Sequence, residues 1–389
     1  MGARDLNEEA QRTGKAPDPF AGAVPMPDPA EEETRAKAAK AKAERFATLE
    51  ACKVGAFLDA GLDRMRARSE DRERPIPLPW ANVAAELGGG LWPGLYVLVG
   101  NTGSGKSQLA LQAAVEAARM GTPVLYVGLE LGRLDLVARL VGLVSRRKWS
   151  RLYLGRNWQG TPDPAELREV EAKHGPELGE LRAMPFHLAL APPHGWAYPE
   201  LTAAAAQLRE MYPETDGEGS RPMLVVLDFL QLVAGAPDAR EDLRERIGRA
   251  AYAGRAVARD YGAAVLMLSS TARENYFLLS GDAKTTAEAG AKQARKARGA
   301  PVVTDPLGTG NPARLVGMGK ESGDVEYAAD AALVLAQEPR GDAALTTCWL
   351  AVAKVRARPE GAKGWAELRF DGGRFTEPEA RGSGGTVRV

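Results

Sequence analysis

An eight-residue stretch, Gly100-Asn101-Thr102-Gly103-Ser104-Gly105-Lys106-Ser107, constrains this chain more than any other part of it. It matches GxxxxGK[ST], follows the apolar run Leu95 to Val99 and precedes a helix-forming segment, Gln108 to Met120. Strand, glycine loop and helix in that order make a phosphate-binding loop. Glycines let the backbone close around phosphates, and amides at the helix start point toward their charge. In this motif Lys106 reaches the β and γ phosphates and the Ser107 hydroxyl holds Mg²⁺. Gly100, Asn101, Thr102, Gly103, Ser104, Gly105, Lys106 and Ser107 are therefore the first candidate binding residues.

The apolar runs around this loop set the fold class. Strands are expected over Leu95–Val99, Val124–Leu129, Pro185–Leu190, Met223–Leu227, Ala263–Leu268, Ala332–Ala336, Leu350–Val355 and Trp365–Phe370. Helical patterns near Gln108–Met120, Leu134–Arg147, Pro199–Met211 and Arg240–Tyr261 alternate with the earlier strands. That alternation predicts an α/β fold with a mostly parallel central sheet and helices on both faces. The last three strands lack intervening helical patterns and are expected as a C-terminal antiparallel extension.

Two carboxylates follow strands. Leu224-Val225-Val226-Leu227-Asp228 ends in an acid placed to join Ser107 at Mg²⁺. Leu125-Tyr126-Val127-Gly128-Leu129-Glu130 places a second acid after the preceding strand, where it could polarise an attacking water or stand at a helix start.

The flanks differ from this core. Residues 1–46 are rich in Ala, Pro and charge with few large apolar side chains, and are expected to be a disordered leader. Residues 47–74 read as a helical segment ahead of the core with a narrow apolar stripe, because Val54, Phe57, Leu58, Leu62 and Met65 recur at three- and four-residue spacing. Gly55 and Gly61 each cost this helix about 1 kcal/mol relative to Ala, so it needs a docking surface. The segment 75–376 is expected as one nucleotide-binding α/β domain, and 377–389 as a flexible Gly-rich tail. Between Thr271 and Gly319 no periodicity is visible over a length well beyond an ordinary loop.

Composition excludes several classes. Lys plus Arg (51) equals Asp plus Glu (51), so no global basic field draws the chain onto nucleic acid, and any such contact must come from a local patch. Two distant cysteines and three histidines give neither a disulfide framework nor zinc spacing, and a cytoplasmic setting is expected. No apolar run is long enough to span a membrane.

Several ordered stretches together carry a family resemblance. Gly89-Gly90-Leu91-Trp92-Pro93-Gly94, Gly128-Leu129-Glu130-Leu131, Leu227-Asp228-Phe229-Leu230-Gln231-Leu232, Lys320-Glu321-Ser322-Gly323-Asp324-Val325-Glu326, Ala329-Asp330, and Ala353-Lys354-Val355-Arg356 before Leu368-Arg369-Phe370-Asp371-Gly372 occur in family order. From about Leu49 to Phe375 the chain resembles the RecA-like P-loop ATPase domain of DnaB-class hexameric replicative helicases. The resemblance implies ATP and Mg²⁺ as cofactors, with Lys106, Ser107 and Asp228 as phosphate and metal ligands and Glu130 as catalytic carboxylate. It makes Lys354 and Arg356 a pair reaching into a neighbouring subunit's site, with Arg356 as arginine finger. It implies a homo-oligomer, a hexameric ring, with single-stranded DNA in its channel, contacted through Arg273, Lys292, Arg295, Lys296, Arg298 and Arg314.

There are departures from the pattern. Ser269-Ser270-Thr271 lacks the glutamine that usually follows the serine, and Lys320 stands where Arg is usual. The family's N-terminal domain has no counterpart in the leader. These departures leave open a non-unwinding, nucleotide-gated DNA-binding ATPase of the same fold, in a plasmid, phage or defence setting.

Overall fold

The computed structural model describes residues 51–190, 196–214, 221–233, 242–272, 279, 311–316, 319, 323–337 and 345–378. The chain divides into two compact units, Met1–Glu70 and Asp71–Val389. The expected disordered leader and the segment 379–389 lie outside the described residues.

In the first unit, helix α1 covers Gly55–Ser69 and buries none of its residues. Phe57, Leu58, Leu62 and Met65 are all exposed, as is Val54 before them. The expected apolar stripe is therefore present as a helix with its stripe open.

In the second unit a nine-stranded sheet runs in the order β3-β2-β4-β5-β1-β6-β7-β8-β9. Its strands are β1 Gly94–Gly100, β2 Val124–Gly128, β3 Phe186–Leu190, β4 Met223–Asp228, β5 Ala263–Ser270, β6 Ala331–Gln337, β7 Thr346–Val355, β8 Trp365–Phe370 and β9 Phe375–Thr376. The first six pair parallel, and β7, β8 and β9 add on antiparallel. All eight expected strands form. One expectation needs correcting: β6 is part of the parallel block, pairing with β1 from Tyr96↔Ala331 to Gly100↔Leu335. The helix before it, Gly323–Ala328, is only six residues long, too short to leave a periodic signature, yet it completes the crossover.

Strand residues alternate between two cores. Tyr96, Leu98, Tyr126, Leu224, Val226, Leu266 and Leu268 pack on one face, with Leu109, Leu111 and Leu136 from helices α3 (Lys106–Arg119) and α4 (Arg133–Ser145). Leu95, Val97, Val99, Leu125, Val225, Val265 and Met267 pack on the other, with Leu201, Leu208, Ile247 and Val257 from Tyr198–Met211 and Leu243–Asp260. Burial on both faces is why these strands read as continuous apolar runs.

Three short helices went unanticipated between β2 and β3, at Trp149–Leu154 (α5), Pro164–Lys173 (α6) and Gly175–Ala183 (α7). α5 and α7 bury no residue, so no apolar stripe marks them. Proline in the first turn of α6 and α7 was the available signal.

The two-residue β9 closes the domain. Gln112 on α3 clamps Phe375, its Oε1 accepting from the Phe375 amide (2.9 Å) and its Nε2 donating to the Phe375 carbonyl (2.8 Å). Trp80 Nε1 donates to the same carbonyl (3.1 Å), and the Phe375 ring stacks on Phe370 at 4.3 Å. Glu377, placed by the sequence in a flexible tail, accepts from the amides of Ala81 (3.0 Å) and Asn82 (2.6 Å) at the start of helix α2, Ala81–Glu86. An unsatisfied helix start thus recruits the residue that follows β9. Because Phe375 is 1% exposed, Phe375→Ala is expected to cost about 3–5 kcal/mol. Urea unfolding should show a lower midpoint at unchanged slope; an unshifted midpoint would refute this clamp.

Candidate functional site

The six parallel strands all point their carboxyl ends to one edge, where an open α/β sheet takes its ligands. Gly100, Gly128, Asp228 and Ser270 end their strands there, with Gly128 in register with Asp228 and Gly100 with Ser270. The glycine loop leaves β1 at this edge and turns into α3.

Two loop glycines take left-handed backbone, Gly103 at φ 79° and Gly105 at φ 89°. A side chain at Gly105 would also meet Phe375 at 2.9 Å and Phe370 at 3.3 Å. The loop is therefore folded against the β8–β9 hairpin, and Gln337 Nε2 braces it by donating to the Ser104 carbonyl (2.8 Å). Lys106 Nζ lies across the loop, donating to the carbonyls of Gly100 (2.8 Å) and Asn101 (2.9 Å). Burial lowers its pKa to about 8, against the pull of Asp228 and Glu130 in the other direction.

Ser107 Oγ donates to Asp228 Oδ1 (3.1 Å), joining the loop to the end of β4. The other carboxylate oxygen, Oδ2, accepts from the Tyr126 hydroxyl (2.7 Å). Burial pushes the Asp228 carboxyl above its ordinary range, while Tyr126, Ser107, Lys106 and Arg139 pull it back. Burial also drives the Tyr126 phenol well up, and Asp228 adds to this, so the phenol remains a donor. Ser107 and Asp228 present convergent oxygens suited to a hard cation that completes its shell with phosphate and water. Magnesium bound there would offset phosphate charge.

A cavity of about 390 Å³ opens over the loop and brings Lys106, Ser107, Glu130 and Asp228 together. Glu130 follows β2 by two residues and is exposed on the cavity wall. Sequence reasoning missed three other residues of this wall, Arg139, Trp149 and Phe370, and one behind it, Tyr126. Arg139 lies 3.8 Å over the Trp149 ring and is fixed by Asp135 at 2.8 Å. Trp149 and Phe370 give the cavity an aromatic side, and Tyr126 orients Asp228 from beneath. Arg139 and Tyr126 sit inside ordinary helix and strand patterns, so only the fold reveals their direction.

Gln231 stands against Ser270 of the cavity wall. Its Nε2 donates to Ser269 Oγ (2.8 Å) and its Oε1 accepts from the Ser270 amide (3.3 Å). A carboxamide thus lies against the end of β5, supplied from the turn after Asp228 rather than from β5 itself. Thr271 bridges to Gly319 and donates its amide to the Gly100 carbonyl (3.3 Å). Both ends of the unassigned 271–319 stretch therefore meet beside the loop.

Arg356 is not brought to the cavity of its own chain. Its Nε lies 2.8 Å from Asp330 Oδ1, and Asp330 Oδ2 accepts from the Leu95 amide (2.8 Å) at the start of β1. The loop is at the far end of that strand, five residues and about 17 Å away. Lys354 precedes it by two residues on β7. Arg314 is exposed in a 3₁₀ turn at Pro312–Leu315. Arg273, Lys292, Arg295, Lys296, Arg298 and Lys320 lie outside the described residues.

A parallel sheet carrying a glycine loop, a loop lysine and a strand-end aspartate at its carboxyl edge defines a P-loop nucleotide-binding ATPase domain of RecA-like architecture. The chain belongs to the AAA domain family, whose profile matches residues 81–275. Among solved structures it is similar to one described as an ATPase domain, at 19% identity and a TM-score of 0.57, covering 83% of this chain and 99% of that one. It is also similar to a DnaB-like replicative helicase whose structure was described with its interactions with primase, at 18% identity and a TM-score of 0.56. That match covers 82% of this chain and 66% of the helicase. At these identities the likeness shows the fold. No curated protein matches. Among the described residues no helix is long and apolar enough to cross a membrane, and no cluster of three or more His, Cys, Asp or Glu could hold a metal.

Replacing Tyr126 with phenylalanine leaves a buried oxygen of Asp228 without its donor. Tyr126→Phe should lower unfolding free energy by about 1–3 kcal/mol at neutral pH. Urea denaturation measures this, and a variant as stable as the parent would show that the bond contributes little.

Proposed function

We propose that this chain is an ATP-driven motor of the DnaB-like type, which assembles into a hexameric ring and moves on single-stranded DNA, unwinding duplex during replication. The observation that carries this reading is the split between Lys106, Ser107, Glu130 and Asp228 around one cavity and Arg356 at the opposite end of the sheet. Phosphoryl transfer gathers charge that an added cation stabilises, and a cation acting from a second copy couples hydrolysis to assembly. Glu130 holds an attacking water by accepting its proton, and Lys106 with the loop amides holds the phosphates. Lys354, near the end of β7, stands two residues before Arg356 and would approach the same neighbouring site. Gln231 supports a link from the nucleotide pocket to the 271–319 segment, where DNA contacts at Arg273, Lys292, Arg295, Lys296 and Arg298 would lie, with Arg314 close to its end.

Glu130→Gln should bind ATP as the parent does yet hydrolyse it at least about a hundredfold more slowly, whereas Lys106→Ala should lose both. Rapid hydrolysis by Glu130→Gln would remove the carboxylate from its role. On a forked DNA substrate the parent should unwind duplex with ATP. Hydrolysis stimulated by single-stranded DNA without unwinding would instead favour the nucleotide-gated binding protein.

Arg356→Ala should be inactive alone but regain hydrolysis when mixed with Lys106→Ala, whose intact Arg356 can serve the other subunit's loop. Mixtures that stay inactive at every ratio would count against a finger acting between subunits.

A further inference from the structure

A second cavity, of about 600 Å³, lies at the other end of α3 from the glycine loop. α3 has 14 residues, so its ends are about 20 Å apart, and phosphates seated on Lys106 do not reach it. Three arginines line this cavity: Arg119 at the end of α3, Arg146 just after α4 and Arg374 just before β9.

Their partners are unequal. Arg119 pairs with Glu116 at 3.0 Å and approaches Glu180 at 3.9 Å, and Glu177 faces His174 at 3.5 Å. Arg374 and Arg146 make no ion pair with any of the described residues. Arg374 is half-buried, and its pKa is lowered first by that burial and then by Arg146 and Arg119, with Asp371 and Glu116 acting in the other direction. Arg119 and Arg146 are exposed and Arg374 alone is partly withdrawn from water, so Arg374 is the cation that a bound anion would stabilise most.

Arg146 adds an independent observation. It ends α4 with left-handed backbone, φ 56°, in the place where helices favour glycine. A long cationic side chain is carried at a position where its backbone is strained, and it lines the cavity.

We propose that this cavity binds a compact phosphate-bearing ligand, separate from the nucleotide pocket, with Arg374, Arg146 and Arg119 as its anion-binding wall. Guanidinium forks suit phosphate oxygens, and the volume is that of a small-molecule site. Glu116, Glu177 and Glu180 line the same cavity and Glu116 is paired with Arg119, so an extended polyanion is disfavoured, while a single phosphate group has Arg374 and Arg146 to rest on. Val115 and Leu143 leave an apolar surface for the rest of the ligand.

The test uses the full chain with Lys106→Ala, so that the glycine loop is weakened, and titrates pyrophosphate calorimetrically at low salt without magnesium. One saturable site per chain is expected. Adding Arg374→Ala or Arg146→Gly should weaken it at least about tenfold. Glycine suits the backbone at 146, so that variant keeps the fold and isolates the side chain. Absence of saturable binding, or binding unaffected by both arginine variants, would overturn the proposal. Oligothymidylate that displaces pyrophosphate and depends on Arg374 would also overturn it, by assigning the wall to polynucleotide.

Discussion

The arrangement rests on one carboxylate. Asp228 ends β4 almost fully buried, with one oxygen taking the Ser107 hydroxyl and the other the Tyr126 phenol. Burying a charge without partners is costly, so this group holds its place only because three elements deliver donors or cations to it. The phosphate loop supplies Ser107 and Lys106, β2 supplies Tyr126 and α4 supplies Arg139. Strand register achieves this, since Gly128 sits opposite Asp228 and carries Glu130 to the same edge.

The C-terminal hairpin supports that edge from the side. Phe370 and Phe375 pack where a side chain at Gly105 would stand, and Gln108 and Gln112 on α3 bond to the backbone of Gly373 and Phe375. The loop glycine thus answers two constraints at once, a left-handed backbone and a close aromatic neighbour. The same hairpin turn carries Gly372 on the nucleotide cavity and Arg374 on the second cavity. One short turn is therefore a wall of both.

Legibility followed burial. Strands enclosed on both faces, such as Leu95–Val99 and Met223–Leu227, stood out as uninterrupted apolar runs. Helices α3 and α4 stood out because each carries a run of buried apolar residues packed on the sheet. α5 and α7 bury nothing and gave no period, and β9 is two residues held by a distant glutamine and tryptophan. Joining β6 to the antiparallel block was an error of the same kind, since the pairing partner of a strand is not written in its own residues. Lys106, Ser107, Glu130 and Asp228 were readable because motif spacing and strand ends fix them locally. Tyr126, Arg139 and Gln231 were not, since their roles depend on which neighbour each one meets.

The sequence by itself determined the phosphate loop, the alternation of strands and helices, and the acids that follow β2 and β4. These are local facts, set by spacing along the chain. Tertiary structure alone decided that Arg356 pairs with Asp330 at the far end of β1, and that Tyr126 holds Asp228. It also decided that three arginines, from residues 119, 146 and 374, line one cavity. The physical reason is that sheet order and register fix which distant residues meet, and no local periodicity encodes either.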